Sequence, residues 1–442
     1  MTNRAEATGT PATRFRGMIF VCVFAAAFIL YVQRTTIGVV AVPLTHEQAF
    51  SPWQQTLLLT AFMLTYTFFQ IPGGLFGQKV GARFGTLCCI LLSTLGTAAF
   101  ATAPYVAAGA FLFALLFAAR LVIGVAQGPL FPINSGLVQA WFPPRRWSLM
   151  NGLQVMGLSL GAAATPPIVA FLTAEFGWQS GVFATCVPGI ALAAAWWWLV
   201  RDTPREHAAV NAAEVEAIEA GGRPPAARRL DWSAAIAVLG NRSVLLLTLA
   251  YLLQNYVFYF YMNWSFIYLV ESRGLSLPTT GVLAMIPLLV GALCAALGGY
   301  LCDLFCARFG PRWGFRILPL IVLPLVALML FIIMELPTSA PVGLAIAALA
   351  ACFGFAQMTE APQWGAAFWV APGQASAATG VLNCGGNIGG IIGTILVGYL
   401  RTNFGWSAAF ATGMGFALAS AAVWLLVDTS RRVDAAPASA SP

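Results

Sequence analysis

The sequence predicts an all-α membrane protein with twelve transmembrane helices in two pseudo-repeated six-helix bundles. Three observations carry this. Of 442 residues, 60% are hydrophobic and 8% charged, whereas soluble domains carry roughly 25% charged residues, so a water-facing surface cannot be assembled. The apolar residues fall in runs of the ~20 needed to cross a hydrocarbon core ~30 Å thick. Backbone groups in lipid must bond internally, and these runs are too long and unbroken for alternating barrel strands. Finally, residues recur between the two halves at a nearly constant offset.

The elements follow in order. Met1 to Arg16 is polar, with Arg4, Arg14 and Arg16, and no small-residue cleavage site follows the first apolar run. That run is read as a retained first span. Spans are expected at 17–40, 52–76, 84–104, 107–138, 147–173 and 178–200, then at 243–270, 279–303, 315–335, 341–369, 374–401 and 404–427. Between the sets lies a polar stretch, 201–242, holding Glu206, Glu214, Glu216, Glu219, Arg223, Arg228 and Arg229. The predicted organisation is an N-terminal bundle (1–200), a central loop (201–242) and a C-terminal bundle (243–442).

Basic residues orient the spans. Lys79, Arg83, Arg145, Arg146, Arg308, Arg312, Arg316, Arg431 and Arg432 all fall on the side of the termini; Arg273 and Arg401 fall opposite. The positive-inside rule then puts both termini and the central loop in the cytoplasm. The formal charge of +7 is this dispersed Arg excess, so no nucleic-acid partner is read from it.

The repeat is specific. Phe176-Gly177-Trp178 recurs as Phe404-Gly405-Trp406, 228 residues on, and the same offset carries Trp141 to Trp369, Gly157 to Gly385 and Gly161 to Gly389. Gln127 and Pro132 pair with Gln357 and Pro362 at offset 230, and Gly74-x-x-x-Gln78 pairs with Gly299-x-x-x-Asp303. Parallel six-helix repeats place a solute site between two bundles near the midplane. The span-5 and span-11 glycines are read as close-packing positions.

Several chemistries have no support. No Walker-type phosphate loop is present. The nine Cys sit mostly in apolar runs and lack metal-ligand spacing. His46 and His207 both fall in links, and no nucleophile–base or metal constellation is visible, so neither an enzyme nor a cofactor is expected.

Local motifs carry a family resemblance across nearly the whole chain. They are Tyr31-Val-Gln-Arg34 with Pro43; Phe62-x-x-x-Tyr66-x-x-x-Gln70-Ile-Pro-Gly73; Arg120-x-x-x-Gly124-x-x-Gln127-x-Pro129-x-x-Pro132-x-Asn134; Arg201-Asp202-Thr203-Pro204; and Gly380-x-x-Asn383-x-x-Gly386-Asn387. With these the chain resembles the major facilitator superfamily, and within it the anion:cation symporter family of organic-anion permeases. The resemblance implies a monomeric, multi-pass carrier of the bacterial inner membrane. Its cargo would be a small organic anion, such as an aldonate, aldarate, hexuronate or other carboxylate, moved by alternating access in symport with protons. Exchange or uniport of the same anions is the near alternative, and a non-transporting solute receptor on the same fold is a further one.

Ionisable groups at membrane depth are costly and default to function. Arg34 offers a planar fork for a carboxylate; pairing with backbone carbonyls or Glu360 is the structural alternative. Arg120, Gln127 and Asn134, spaced by seven, fall on one helical face and are read as a polar stripe lining a cavity or as interhelical hydrogen bonds. Glu360 is either a proton carrier or an Arg partner. Tyr31, Tyr66, Tyr259, Trp364, Asn383 and Asn387 complete the expected binding set. Where the resemblance implies carboxylates for proton coupling, this chain has Gln33 and Gln127, so the usual coupling route is altered. The cytoplasmic gating motif reads Gly74-x-x-x-Gln78-Lys79, with Arg83 beyond it and Asp303 in the second copy; Asp303 is expected to hold a gate contact.

Overall fold

The computed structural model describes residues 11–143, 147–219, 240–371 and 375–430. Arg145, Arg146, Arg223, Arg228, Arg229, Arg431 and Arg432 lie outside these ranges. The N-terminal half contains α1 (Arg16–Glu47), α2 (Pro52–Val80), α3 (Ala82–Thr102), α4 (Gly109–Gln127), α5 (Leu130–Trp141), α6 (Trp147–Phe176) and α7 (Trp178–Leu199). A short α8 (Ala212–Glu219) follows in the central loop. The C-terminal half contains α9 (Arg242–Asn263), α10 (Ser265–Arg273), α11 (Leu277–Glu335), α12 (Val342–Gln357), α13 (Glu360–Val370), α14 (Ala375–Phe404) and α15 (Trp406–Leu426).

Among the described residues ten helical segments are long and apolar enough to cross a membrane, α4 and α5 together making one of them. The 29-residue α2 makes another. The 59-residue α11 turns at Gly310; at ~1.5 Å per residue it would otherwise be roughly 90 Å long, far beyond one bilayer. It therefore supplies two passes, 277–309 and 311–335, and the total is twelve.

The repeat governs local geometry. Span 4 breaks between α4 and α5, and span 10 breaks between α12 and α13. Pro132 and Pro362 explain both. A helical proline lacks an N–H and its ring clashes with the carbonyl four residues back, here that of Gly128 and of Met358. The corners match as well. Gly81 and Gly310 have φ of 91° and 73°, and Gly177 and Gly405 have φ of 83° and 80°; an L side chain is strained at such angles. A Cβ on Gly161 would meet the Phe28 carbonyl oxygen of α1, and one on Gly389 the Leu252 carbonyl oxygen of α9. Span 5 thus packs on span 1 as span 11 packs on span 7.

The apolar cores define which end is open. At the end remote from the termini one continuous cluster joins both halves, including Val40, Leu44 and Leu58 with Tyr256, Phe260, Trp264 and Ile267. Toward the termini the cores are separate: Ile19, Leu30, Leu137 and Trp141 in one bundle, Leu247, Tyr251, Leu323 and Trp424 in the other. Because these cores stay separate while the other end is joined, we read the space between the bundles as a cleft on the side of the termini.

Along one flank α2 and α14 run antiparallel as a seam. Gly398 faces Thr56 and Gly390 faces Met63, and Asn383 Nδ2 donates to Gln70 Oε1 at 2.8 Å. At the closed end Arg401 donates to Gln55 Oε1 at 2.9 Å and pairs with Glu271 at 2.8 Å.

The central loop is fastened to the N-terminal bundle. The fully buried Glu214 of α8 accepts from Thr13 Oγ1 at 2.5 Å and from the N–H groups of Phe15 and Arg16 at 2.9 and 3.1 Å. It caps the start of α1, where first-turn N–H groups lack helical partners. Burial alone would raise its carboxyl; these donors, with Arg16, hold it below the usual carboxylate range. His207 lies 4.0 Å, centroid to centroid, from the Phe15 ring.

Candidate functional site

Arg34 sits past the middle of α1 and projects into the cleft between the bundles, half-buried. Its guanidinium donates to Tyr259 Oη of α9 at 3.1 Å, and that hydroxyl donates to Asn387 Oδ1 of α14 at 3.0 Å. The Arg34 Cζ stands 5.0 Å from the Tyr31 ring centroid, 4.7 Å from Phe62 and 4.6 Å from Tyr66. Aromatic faces carry negative quadrupole potential, so they make a bare cation tolerable at this depth without cancelling it. Arg34 makes no ion pair with a carboxylate among the described residues. The expected alternative of an Arg34–Glu360 pair is not formed.

Arg120 is sealed away, 3% exposed. Its Nε donates to the Leu58 carbonyl at 3.3 Å, and its Cζ lies 5.3 Å from the Phe62 ring centroid. One ring therefore lies beside both guanidiniums. Arg120 backs the wall against which Arg34 stands.

The polar stripe expected along span 4 does not line a cavity. Gln127 is 4% exposed and turns into its own bundle, donating to the Leu30 carbonyl at 2.9 Å and to Ser93 Oγ at 2.8 Å. Ser93 in turn donates to Gln33 Oε1 at 2.7 Å, and Gln33 Nε2 reaches Thr94 Oγ1 at 3.1 Å and the Thr185 carbonyl at 3.3 Å. Asn134 is fully buried and accepts from Thr86 at 2.9 Å. Arg120, Gln127 and Asn134 are all buried, each bonded to a different partner, so they make interhelical ties rather than line a cavity. Gln127 is a tie between spans 1, 3 and 4, where the sequence left it between cavity and packing.

Glu360 begins α13, half-buried on the C-terminal wall of the cleft. Its Oε2 accepts from Tyr251 Oη at 3.3 Å and from Trp364 Nε1 at 3.1 Å. Trp364 and Tyr251 meet edge-on with centroids 6.1 Å apart. Oε1 has no donor among the described residues. Asn383 faces Gln70 on the seam, and Asn387 backs Tyr259.

The gating residues lie apart. The Gln78 side chain is outside the described set, and Lys79 and Asp303 are exposed; Asp303 forms no ion pair among the described residues. Arg83 packs α3 on α7, donating to the Trp197 carbonyl at 2.6 Å over that residue's ring at 4.4 Å. Sequence reasoning quoted Phe62 only as part of a motif, with no role at the site, and missed Ser93. An aromatic on an apolar helix and a lone small hydroxyl carry no signal until their neighbours are known.

Comparison with known proteins agrees with this architecture. The profile of the Major Facilitator Superfamily matches residues 23–367 and 304–441. The hexuronate transporter of Bacillus subtilis strain 168 is 27% identical over 90% of this chain and 92% of its own length. The probable galactarate/D-glucarate transporter GudP of Escherichia coli strain K12 is 26% identical over 98% of both. The D-galactonate transporter of Escherichia coli O6:H1 is 26% identical over 94% of this chain and 96% of its own. Among solved structures, a bacterial homologue of the human lysosomal transporter Spinster superposes with a TM-score of 0.76 at 18% identity, covering 96% of this chain and 99% of that one. A D-xylose–proton symporter superposes with a TM-score of 0.74 at 13% identity, covering 94% and 98%. These last two bear on fold alone. With twelve helices in paired repeats and a profile match across most of its length, the chain is a multi-pass membrane transporter, not an enzyme, and it belongs to the Major Facilitator Superfamily.

Proposed function

We propose that this protein is a secondary transporter of small sugar acids (aldonates, aldarates or hexuronates) across a bacterial inner membrane, with Arg34 as the carboxylate anchor. The observation that carries the reading is an unneutralised guanidinium at the meeting line of two bundles. It is cradled by aromatic faces and bonded to a hydroxyl rather than to a carboxylate. Keeping a bare cation at membrane depth is expensive unless an anion arrives to meet it. A bidentate carboxylate is the best geometric match to the fork. Tyr31, Tyr66, Tyr259, Asn383 and Asn387 supply donors and acceptors of the kind a polyhydroxylated chain requires. The sugar-acid relatives named above support the same class.

Transport follows an alternating-access cycle. The termini-facing cleft is one end state, with the termini in the cytoplasm, and breaking the Arg401–Gln55 contact belongs to the passage to the other. For coupling, Gln33 and Gln127 cannot titrate, so Glu360 is the proton carrier. Uncoupled exchange is a second reading, favoured by the way those two amides close a complete network around Ser93.

The test is uptake of radiolabelled D-glucarate, D-gluconate and D-galacturonate into proteoliposomes. Arg34→Ala is expected to lower uptake of the transported acid about 100-fold or more, the scale set by stranding a buried charge partner. Undiminished uptake by a folded Arg34→Ala protein refutes the anchor.

A further inference from the structure

The cleft holds two charges of opposite sign that do not meet. Arg34 on the N-terminal wall is bonded to Tyr259, and Glu360 on the C-terminal wall is bonded to Tyr251. The two tyrosines stand eight residues apart on α9, roughly 12 Å along the helix axis at ~1.5 Å per residue. Both charged groups are half-buried. Neither forms an ion pair among the described residues.

The carboxylate of Glu360 is held in a particular way. Both of its donors, Tyr251 Oη and Trp364 Nε1, fall on Oε2. This leaves Oε1 with no donor among the described residues. A cargo hydroxyl could bond to Oε1, but it would leave the charge standing. An ammonium both bonds and neutralises it, and such charge-assisted bonds are about twice as strong as neutral ones. The separation of the two anchors argues against an ordinary α-amino acid, whose charges sit side by side.

We propose that the cleft prefers acids that also carry a protonated amine at the end remote from the carboxylate, the carboxylate meeting Arg34 and the ammonium meeting Oε1 of Glu360. This deepens the reading of Arg34 as the anion anchor and rests on it. Aminated sugar acids are the cargo class, bound as zwitterions so that both unpaired wall charges are satisfied at once.

Isothermal titration of the purified full-length protein at pH 7 with D-gluconate and with 6-amino-6-deoxy-D-gluconate tests it. The two share a skeleton and differ in the terminal group. The amino acid form is expected to bind about tenfold tighter or more. Glu360→Gln is expected to erase that preference, and Arg34→Ala to weaken both. Arg34-dependent gluconate binding with no preference for the amine overturns this inference and leaves the anion reading intact. A preference that survives in Glu360→Gln also overturns it. Failure of both compounds to bind overturns this inference, and the anion reading is then decided by uptake of D-glucarate and D-galacturonate. The preference of the unaltered protein is decisive even if the Glu360 variant does not fold.

Discussion

The two bundles share a backbone plan and divide the chemistry. Each has a span broken by a proline at the equivalent place, each turns at matching glycines, and each packs its fifth helix on its first through a glycine at the same register. Yet the N-terminal wall presents a cation and the C-terminal wall an anion. The equivalent glutamines show the difference at close range. Gln127 is tied through its amide nitrogen to Leu30 and Ser93 of its own bundle. Gln357, its repeat partner, is half-buried, and its Oε1 lacks a donor. The first half has converted its polar groups into internal ties around one half-buried guanidinium. The second keeps Gln357 and Glu360 incompletely satisfied beside the cleft. A repeat thus conserves what backbone sterics demand and leaves each half free to specialise in charge.

That contrast can be broken most severely at Glu360. If the C-terminal wall carries coupling, Glu360→Gln abolishes accumulation driven by a pH gradient in proteoliposomes while exchange of preloaded substrate continues. Accumulation that persists in the variant assigns coupling elsewhere and makes the two walls less different than they look. A smaller effect is expected from the N-terminal network. Gln127→Leu removes two buried hydrogen bonds, and Leu30 O and Ser93 each lose a partner. The expected cost is about 1–3 kcal/mol, modest because bonds within membranes net little each. It should appear as a lowered thermal midpoint with substrate affinity nearly unchanged. A large loss of affinity would instead return Gln127 to the binding surface.

The mildest effect concerns the clamp that belongs to one bundle alone. Glu214→Gln is expected to cost about 1 kcal/mol, the usual scale of a lost helix cap, and to increase hydrogen exchange at Phe15 and Arg16. Because the folded carboxyl lies below its ordinary range, its stabilisation is complete above that range and disappears as pH falls through the folded value. Exchange at these amides should therefore rise on acidification in the unaltered protein and respond less in the variant.

Much of this was legible beforehand. Pro132 and Pro362 mark the helix breaks through their missing N–H groups, and Gly177 and Gly405 mark corners that only a residue without Cβ enters freely. The depth of Arg34 and Glu360 follows from counting residues along apolar runs. The direction in which Gln127 faces was not legible. Seven-residue spacing gives Arg120, Gln127 and Asn134 a shared face, and whether that face meets a cavity or neighbouring helices depends on what packs against it. Nor could spacing show that one phenylalanine, Phe62, would stand beside both arginines, since they come from three different helices.

The sequence by itself determined the span count, the twofold plan, the kinks and the charges placed within the membrane, because each depends on length, hydropathy or local backbone sterics. Tertiary structure alone decided which polar groups tie a bundle together and which face the cleft. It also decided that Arg34 bonds to a tyrosine of the opposite bundle while Glu360 stays some distance away. The physical reason is that a helix's outward and inward faces are set by what packs against it, and those partners come from other helices, 34 residues away for Gln127 and Ser93 and 225 for Arg34 and Tyr259.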